Sequence, residues 1–270
     1  MTTAEHGVAG RDSQMSGKVV LVTGASRGIG AATATAFADA GAEVVLTARD
    51  GDALSSQAEA IRRSGGSAVA VPADVTSEDS VRALLAEVRQ RFGRLDAAVN
   101  NAAGGGRPPA PLAEWASADF DSALAVSLRG VFLCLKYEIE LMLAGGTGGA
   151  IVNLSSTAGE QGVAGLSGYV AGKFGVGGLT RVAALASAAR GIRVNAIAPG
   201  PILTDRLAAA EQAAQERVAA SVPLARIGTT ADVAAAAVWL CSGQSSFVTG
   251  TVLAVDGGRL AGTPAFNTGN

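Results

Sequence analysis

Tyr169 and Lys173 are the residues with the most chemical capacity. They stand four apart in YVAGKFGVGGLTRVAALASAAR, a run of helical character, so both side chains lie on one helix face. A free phenol titrates near about 10, but an ammonium ~4 Å away at an effective dielectric of ~20 interacts with it by roughly 4 kcal/mol. The spacing therefore predicts a tyrosine lowered by up to about three pH units, able to give a proton to a carbonyl oxygen or take one from an alcohol. Taken alone, the same pair equally suits an ordinary amphipathic surface. No imidazole competes for this chemistry in the folded part: His6 is the only histidine and lies near the N-terminus. A Ser-His-Asp triad and a typical zinc site both lack a ligand, and no metal is expected.

A second group of residues is built to bind. The run KVVLVTG leads into Gly24-Ala25-Ser26-Arg27-Gly28-Ile29-Gly30 and then an alanine-rich segment. Glycines let a backbone approach a ligand closely, and a helix N-terminus offers unpaired N–H groups and partial positive charge to a pyrophosphate. A lone glycine turn is also a plain strand-to-helix connection. Its place after the first strand of a βαβ pattern favours the nucleotide reading.

The elements that must position these groups follow from hydrophobic periodicity. Short Val/Ile/Leu/Ala runs near 18–23, 43–48, 68–72, 96–100, 149–154, 192–197 and 251–255 read as strands buried on both faces. Helical stretches near 28–40, 51–64, 77–91, 117–144, 167–190 and 230–241 lie between them. The alternation predicts an α/β fold: a single doubly wound Rossmann-type domain with a parallel seven-stranded sheet and helices on both faces. The domain is expected over 17–260, between a flexible tail at 1–16 and a C-terminal tail at 261–270. Two segments break the rhythm, Gly104 to Pro111 and Gly200 to Gly228, and the second is expected to supply a substrate lid near 201–228.

Bulk properties narrow the function. A formal charge of −2 offers no cationic excess for a phosphate backbone, so neither nucleic acid nor a membrane surface is an expected partner. Cys134 and Cys241 sit in apolar helical runs and read as buried small hydrophobes, with no disulfide indicated. The N-terminal sequence lacks a signal-peptide core and the chain lacks a membrane-length apolar run, which predicts a cytoplasmic protein.

The glycine turn reads G-x-x-x-G-x-G, not the G-x-G-x-x-G of ordinary Rossmann dehydrogenases, and here the chain resembles the short-chain dehydrogenase/reductase family. It is similar to 3-oxoacyl-carrier-protein-reductase-like and glucose-dehydrogenase-like members. The match continues in order at Asp74-Val75, Asn100-Asn101-Ala102-Ala103-Gly104, Ser156, Tyr169-Val170-Ala171-Gly172-Lys173, Pro199-Gly200 and Asp256-Gly257-Gly258, spanning residues 18 to 260. This position after the fifth strand reverses the weighting of Tyr169 and Lys173 toward catalysis.

The resemblance implies that Gly24, Ser26, Arg27, Gly28, Ile29 and Gly30 surround the pyrophosphate. It implies that Asp74 and Val75 hold the adenine, and that the backbone from Asn100 through Gly104, Ala102 included, passes the adenosine ribose. A helix cap at Asp74 and a turn at Asn100-Asn101 are the plain alternatives. Tyr169 and Lys173 would touch the nicotinamide ribose, while Pro199, Ile202 and Thr204 belong to a segment that packs on the nicotinamide amide. Ser156 stands thirteen residues before Tyr169, the family separation for the serine that orients the substrate oxygen. Its neighbour Ser155 points to the other face by strand alternation. The main departure is Ser127-Leu128-Arg129-Gly130-Val131-Phe132, where relatives read Asn-Leu-x-Gly-x-Phe. Ser127 thus occupies the fourth catalytic position, and either an altered proton path or a harmless substitution follows.

The implied activity is an oxidoreductase that interconverts a ketone or aldehyde and an alcohol by hydride transfer, with Tyr169 as general acid/base. For the cofactor, an acid at the end of the second strand would select NAD. Here that position is Ala48, followed by Arg49, with Arg27 in the glycine turn, so NADP(H) is favoured over NAD(H). Asp50 complicates this, because its carboxylate can pair with Arg49. Pocket candidates are Ala158, Glu160, Gly162, Val163, Leu203 and Leu207, walls that suit a mostly apolar small-molecule carbonyl or alcohol substrate. Surplus apolar surface on 117–144 and 167–190, which pair across subunits in relatives, predicts a homotetramer, with a homodimer as alternative. Two other readings stay open: an NAD(H) enzyme of the same family, and a dinucleotide-binding protein with impaired catalysis because of Ser127. A nucleotide-sugar epimerase would need a larger C-terminal domain than follows Gly258.

Overall fold

The computed structural model describes residues 13–104 and 108–262. His6, the middle of the Gly104–Pro111 stretch, and most of both expected tails lie outside the described residues.

Seven parallel strands form one sheet in the order β3-β2-β1-β4-β5-β6-β7. They are β1 Val19–Thr23, β2 Glu43–Thr47, β3 Ser67–Ala70, β4 Ala97–Asn100, β5 Gly149–Leu154, β6 Ile192–Pro199 and β7 Val252–Val255. Every residue of β1 and β4 is buried, because helices cover both sheet faces and leave no side for alternation with polar residues.

The helices are α1 Gly28–Asp39, α2 Gly51–Arg63, α3 Glu78–Phe92, α4 Ser117–Leu124, α5 Val131–Gly145, α6 Ser167–Ser187, α7 Asp205–Ala208, α8 Gln212–Ala220 and α9 Thr230–Cys241. On one face α1, α2 and α9 pack Phe37, Leu54, Ile61 and Leu240 onto the sheet. On the other, α3, α5 and α6 contribute Leu84, Val88, Leu133, Met142 and Val176. Both cysteines are buried and free. The fold is the expected doubly wound α/β architecture. The strand order reverses between β1 and β4, which opens a crevice above the C-terminal ends of these strands.

Three expectations need correction. The helix read across 117–144 is interrupted between α4 and α5 by a π-helical stretch, Ala125–Gly130. Within it the Ser127 hydroxyl donates to the Ala123 carbonyl, a back-bond that competes with the regular helical ladder. The tail expected through residue 16 ends sooner: Ser13–Met15 form a 3-10 turn, and Met15 is buried with its N–H on the Ala40 carbonyl at 3.1 Å. The long segment after β6 contains α7 and α8 and is pinned at its base. A parallel bridge joins Ile202 to Gly228, Leu203 N donates to Gly228 O at 2.8 Å, and Gly228 N donates to Pro201 O at 3.0 Å.

Candidate active site

The turn after β1 is held open by its neighbours. Gly24 and Gly28 adopt φ of +66° and +57°, the left-handed region that glycine enters without strain. A Cβ on Gly30 would overlap the Gly24 carbonyl, so the helix can start this close to the strand only with hydrogen at that position. Asn101 stitches the turn from β4: its Nδ2 donates to Thr23 O at 3.0 Å and to Gly24 O at 3.1 Å. The Thr23 hydroxyl in turn accepts Asn101 N and Ala102 N, each at 3.0 Å. No side chain caps α1, whose N-cap is Arg27, so its first N–H groups stay available to an anion.

Above this turn lies a cleft of about 510 Å³. It gathers Gly24, Ser26, Arg27, Ile29, Arg49, Asp74, Val75, Ala102 and Thr204. Gly28 stands at its edge, where an added Cβ would come within 3.7 Å of Thr204. Asp74 is not a helix cap, a place taken by Ser77. Its Oδ1 accepts Thr76 N at 2.9 Å and Thr76 Oγ1 at 2.8 Å. The backbone bond from Thr76, then the Thr76 hydroxyl and the Arg49 charge, hold its carboxyl below the usual range against the opposing effect of burial. Its second oxygen has no protein partner among the described residues. Asp50 does not pair with Arg49 but caps α2, accepting Ala53 N at 3.1 Å. Arg27 and Arg49 are both exposed and line this cleft, and neither side chain has a hydrogen-bond partner among the described residues. The residues fit a dinucleotide, with glycine backbone for its pyrophosphate.

At the ends of β5 and α6 the reactive candidates meet. Ser156 lies close enough to the Tyr169 hydroxyl to oppose the rise in its pKa, and its Oγ accepts Ala158 N at 3.1 Å. Lys173 is buried, donates from Nζ to Leu154 O at 2.6 Å, and lies 5.7 Å from the centroid of the Tyr169 ring. Ser155 turns the other way and donates to Lys173 O at 3.1 Å. The electrostatic expectation for Tyr169 is overturned. Burial pushes its pKa above the ordinary phenol value, with only Ser156 opposing. Lys173 aims its ammonium at a backbone carbonyl of β5, and burial lowers its pKa to about 8. Lys173 thus braces β5 against α6, and Tyr169 keeps its proton through neutral pH.

Several expected residues are placed elsewhere. The side chain of Asn100 is buried away from the cleft, against Glu138 of α5 and Asn153 of β5; its successors Asn101, Ala102 and Ala103 line the cleft. Neighbours on a strand face opposite ways, so two adjacent asparagines cannot both serve it. Ile202 is buried and, with Pro201, lines a separate cleft beneath Gly228, and Pro199 ends β6 outside the glycine cleft. Ser127 is buried in the π-helical stretch beside Gly172, its hydroxyl taken by Ala123. Glu160 leaves the expected pocket. Its Oε1 lies 4.0 Å from where a Gly177 Cβ would stand, beside Arg181, and Gly177 is eight residues down α6 from Tyr169, roughly 12 Å at helical rise. Thr23 was not among the expected site residues, and Asn101 was expected to contribute its backbone, not its side chain. Their signal was available as a hydroxyl and an amide bracketing the first and fourth strand ends.

A family model described as enoyl-(acyl carrier protein) reductase matches residues 24–259. An A-factor type γ-butyrolactone 1′-reductase (1S-forming) from Streptomyces virginiae is 45% identical over 253 residues, covering 92% of this chain and 97% of that protein. A cis-4-hydroxycyclohexanecarboxylate dehydrogenase from Sinomonas cyclohexanicum is 45% identical over 246 residues, covering 90% and 97%. Among solved structures, a candidate 2-deoxy-D-gluconate 3-dehydrogenase from Agrobacterium tumefaciens with bound NADP superposes with a TM-score of 0.84 at 35% identity, covering 93% of this chain and 100% of that one. The glycine turn, the strand order and these relatives agree: the chain belongs to the short-chain dehydrogenase/reductase family of oxidoreductases acting on alcohol and ketone groups.

Proposed function

We propose that the protein is an NADP(H)-dependent oxidoreductase that interconverts an uncharged, mostly apolar ketone and the matching secondary alcohol, with Tyr169 as general acid/base. The observation that carries this reading is the meeting of Ser156, Tyr169 and Lys173, with the Lys173 ammonium 5.7 Å from the Tyr169 ring centre, on strand ends that also carry the glycine cleft. The bound nicotinamide would supply or accept the hydride. Tyr169 gives its proton to the carbonyl oxygen in reduction and recovers it in oxidation. Ser156 orients that oxygen and acts without a base of its own. Arg27 and Arg49 take the 2′-phosphate, a role supported by Ala48 in place of an acid, by Asp50 being occupied at α2, and by the NADP bound to the structural relative. Gly24 through Gly30, Asp74, Val75, Ala102 and Thr204 hold the rest of the cofactor.

With Glu160 turned away, Val163, Leu203 and Leu207 leave a neutral substrate wall. Two relatives are named for ring compounds, a γ-butyrolactone and a cyclohexanecarboxylate. The exposed Phe132, Phe174, Val182 and Leu185 on α5 and α6 support pairing of these helices in a cytoplasmic homotetramer. A panel of cyclic ketones and alcohols with NADPH or NADP⁺, and Tyr169→Phe as control, tests the reading. Equal inertness of both proteins across the panel would instead favour the second reading, a dinucleotide-binding protein, which the engaged Ser127 hydroxyl supports.

A further inference from the structure

Four polar side chains cross the interior beneath this site. Glu138 of α5 is wholly buried, and Asn100 at the end of β4 pairs in register with Asn153 of β5. Asn100 Nδ2 donates to Glu138 Oε2 at 2.9 Å and to Asn153 Oδ1 at 3.0 Å. Asn153 Nδ2 donates to the Thr180 hydroxyl of α6 at 3.0 Å, which donates to Val176 O at 2.8 Å. Two oxygens at the Glu138 end have no partner, Glu138 Oε1 and Asn100 Oδ1.

Burying a carboxyl costs more than filling the space with an apolar side chain, so the group needs a reason to be there. Its neighbours along the chain supply one. Asn100 directly precedes Asn101, which holds the glycine turn, and Ala102, which lines the cleft. Asn153 directly precedes Leu154, whose carbonyl receives Lys173. Thr180 follows Lys173 by seven residues, two turns along the same helix. A small void beside Asn100 shares Val75, Ala102 and Val126 with the cleft wall and reaches Cys134 on α5.

We propose that Glu138 is a positioning residue for the reaction: through Asn100 it fixes the β4 end that shapes the dinucleotide cleft relative to the β5 end and α6 that carry Ser156 and Lys173. The protonated acid is the form that suits this place, since its O–H adds a donor where two acceptors stand unpaired. Burial raises its pKa to about 7, with the Asn100 bond opposing. The groups that feel its charge are buried thiols, Cys134 one turn earlier and Cys241 of α9. Its hydrogen-bond partner among the described residues is the uncharged Asn100, which links on to the uncharged Asn153 and Thr180. Along the α3 seam, Glu78 accepts Lys136 Nζ and the Tyr137 hydroxyl at the surface, and Arg82 pairs with Asp79 at 3.1 Å. Ionisation above neutral pH therefore places an unneutralised charge under the cleft, and dinucleotide binding weakens.

The proposal rests on the dinucleotide reading above, and the test separates the two. NADPH is titrated by fluorescence into the wild type, Glu138→Gln and Glu138→Leu at about pH 6 and about pH 8.5, with cofactor KM and kcat measured in parallel. Glu138→Gln, whose amide mimics the protonated acid, is expected to bind within about twofold of the wild type at the lower pH and to lose the weakening at the higher one. Glu138→Leu is expected to weaken Kd and raise cofactor KM by about tenfold or more, with kcat less affected. Wild-type pH dependence in Glu138→Gln, or wild-type affinity in Glu138→Leu, overturns the proposal. If Glu138→Leu does not fold, the glutamine comparison decides alone. If the wild type ignores NADPH, the cofactor reading fails and the same three proteins titrated with NADH still test Glu138.

Discussion

The hydroxyl of Ser127 rests against the bare backbone of Gly172, one residue before Lys173. A Cβ on Gly172 would overlap Ser127 Oγ and stand 3.1 Å from Ser127 Cβ. The family's fourth catalytic position and the helix carrying Tyr169 and Lys173 are therefore fitted to each other, and the serine spends its hydroxyl on Ala123, not on Lys173.

Gly172→Ala is accordingly expected to cost about 1–3 kcal/mol in chemical denaturation by overpacking. Part of this loss should be recovered in a Ser127→Ala background, and strict additivity of the two changes would refute the contact. Ser127→Ala alone should leave the pH profile of turnover unchanged, since its hydroxyl is not in the proton path. A shifted profile would place it there.

Tyr169 is raised by burial, so it carries its proton through the neutral range. Reduction should proceed at a steady kcat/KM across neutral pH and fall only in alkali, whereas alcohol oxidation should speed up as pH rises. Tyr169→Phe should lower turnover by about 10²–10⁴ while NADPH still binds. Turnover within a few-fold of the wild type would move the proton chemistry elsewhere.

For Lys173 the folded pKa of about 8 lies below the ordinary value of 10.5. Between the two the unfolded chain binds more protons, so stability rises with pH across that window and the cost of the buried charge is felt below it. Lys173→Met has no such titration. The wild type should gain melting temperature relative to this variant as pH climbs from about 8 toward about 10. A constant gap between the two would mean that Lys173 keeps its ordinary pKa in the folded protein.

Much of this was legible along the chain where one physical demand dominates. Strands buried on both faces must be continuously apolar, and a helix starting against a strand must begin with glycine, so β1 and the Gly24–Gly30 turn announce themselves. The spacing of Tyr169 and Lys173 showed that they share a helix face but not where the ammonium points. That depends on the Leu154 carbonyl nineteen residues earlier, a tertiary contact. Asn100 and Asn101 look alike in sequence, and alternation sends one to Glu138 and the other to the glycine turn. The π-helical stretch around Ser127 adds one residue to one turn, too small a change to disturb the hydrophobic period.

Arg27 and Arg49 line the cleft with no side-chain partner among the described residues, while Asp50 is held by α2. Charge-assisted bonds to a phosphate contribute roughly 1.5–3 kcal/mol each, so Arg49→Ala should raise the KM for NADPH by about 10–100-fold and leave that for NADH nearly unchanged. Ala48→Asp should then favour NADH, because the new carboxylate repels the 2′-phosphate and accepts the free 2′-hydroxyl. Equal losses toward both cofactors in Arg49→Ala would show that the arginine does not read the phosphate.

Ala225 is the only non-glycine residue with positive φ among the described residues, at +53°. It sits where the segment after β6 returns to the sheet, between Leu224, whose N–H reaches Gly257 O at 3.1 Å, and Arg226, which bonds Asp232 at the start of α9. These anchors on both sides hold the backbone in a conformation that costs an L-residue roughly 1–2 kcal/mol. Glycine removes the Cβ clash but adds freedom to the unfolded chain, worth about 0.4–1 kcal/mol in the other direction. Relief should win by about 1 kcal/mol, and Ala225→Gly should melt roughly 2–4 °C higher. Because the anchors are untouched, KM for the substrate should stay the same. A lower melting temperature would show that the left-handed turn is not strained, and a raised KM would show that its stiffness shapes the lid.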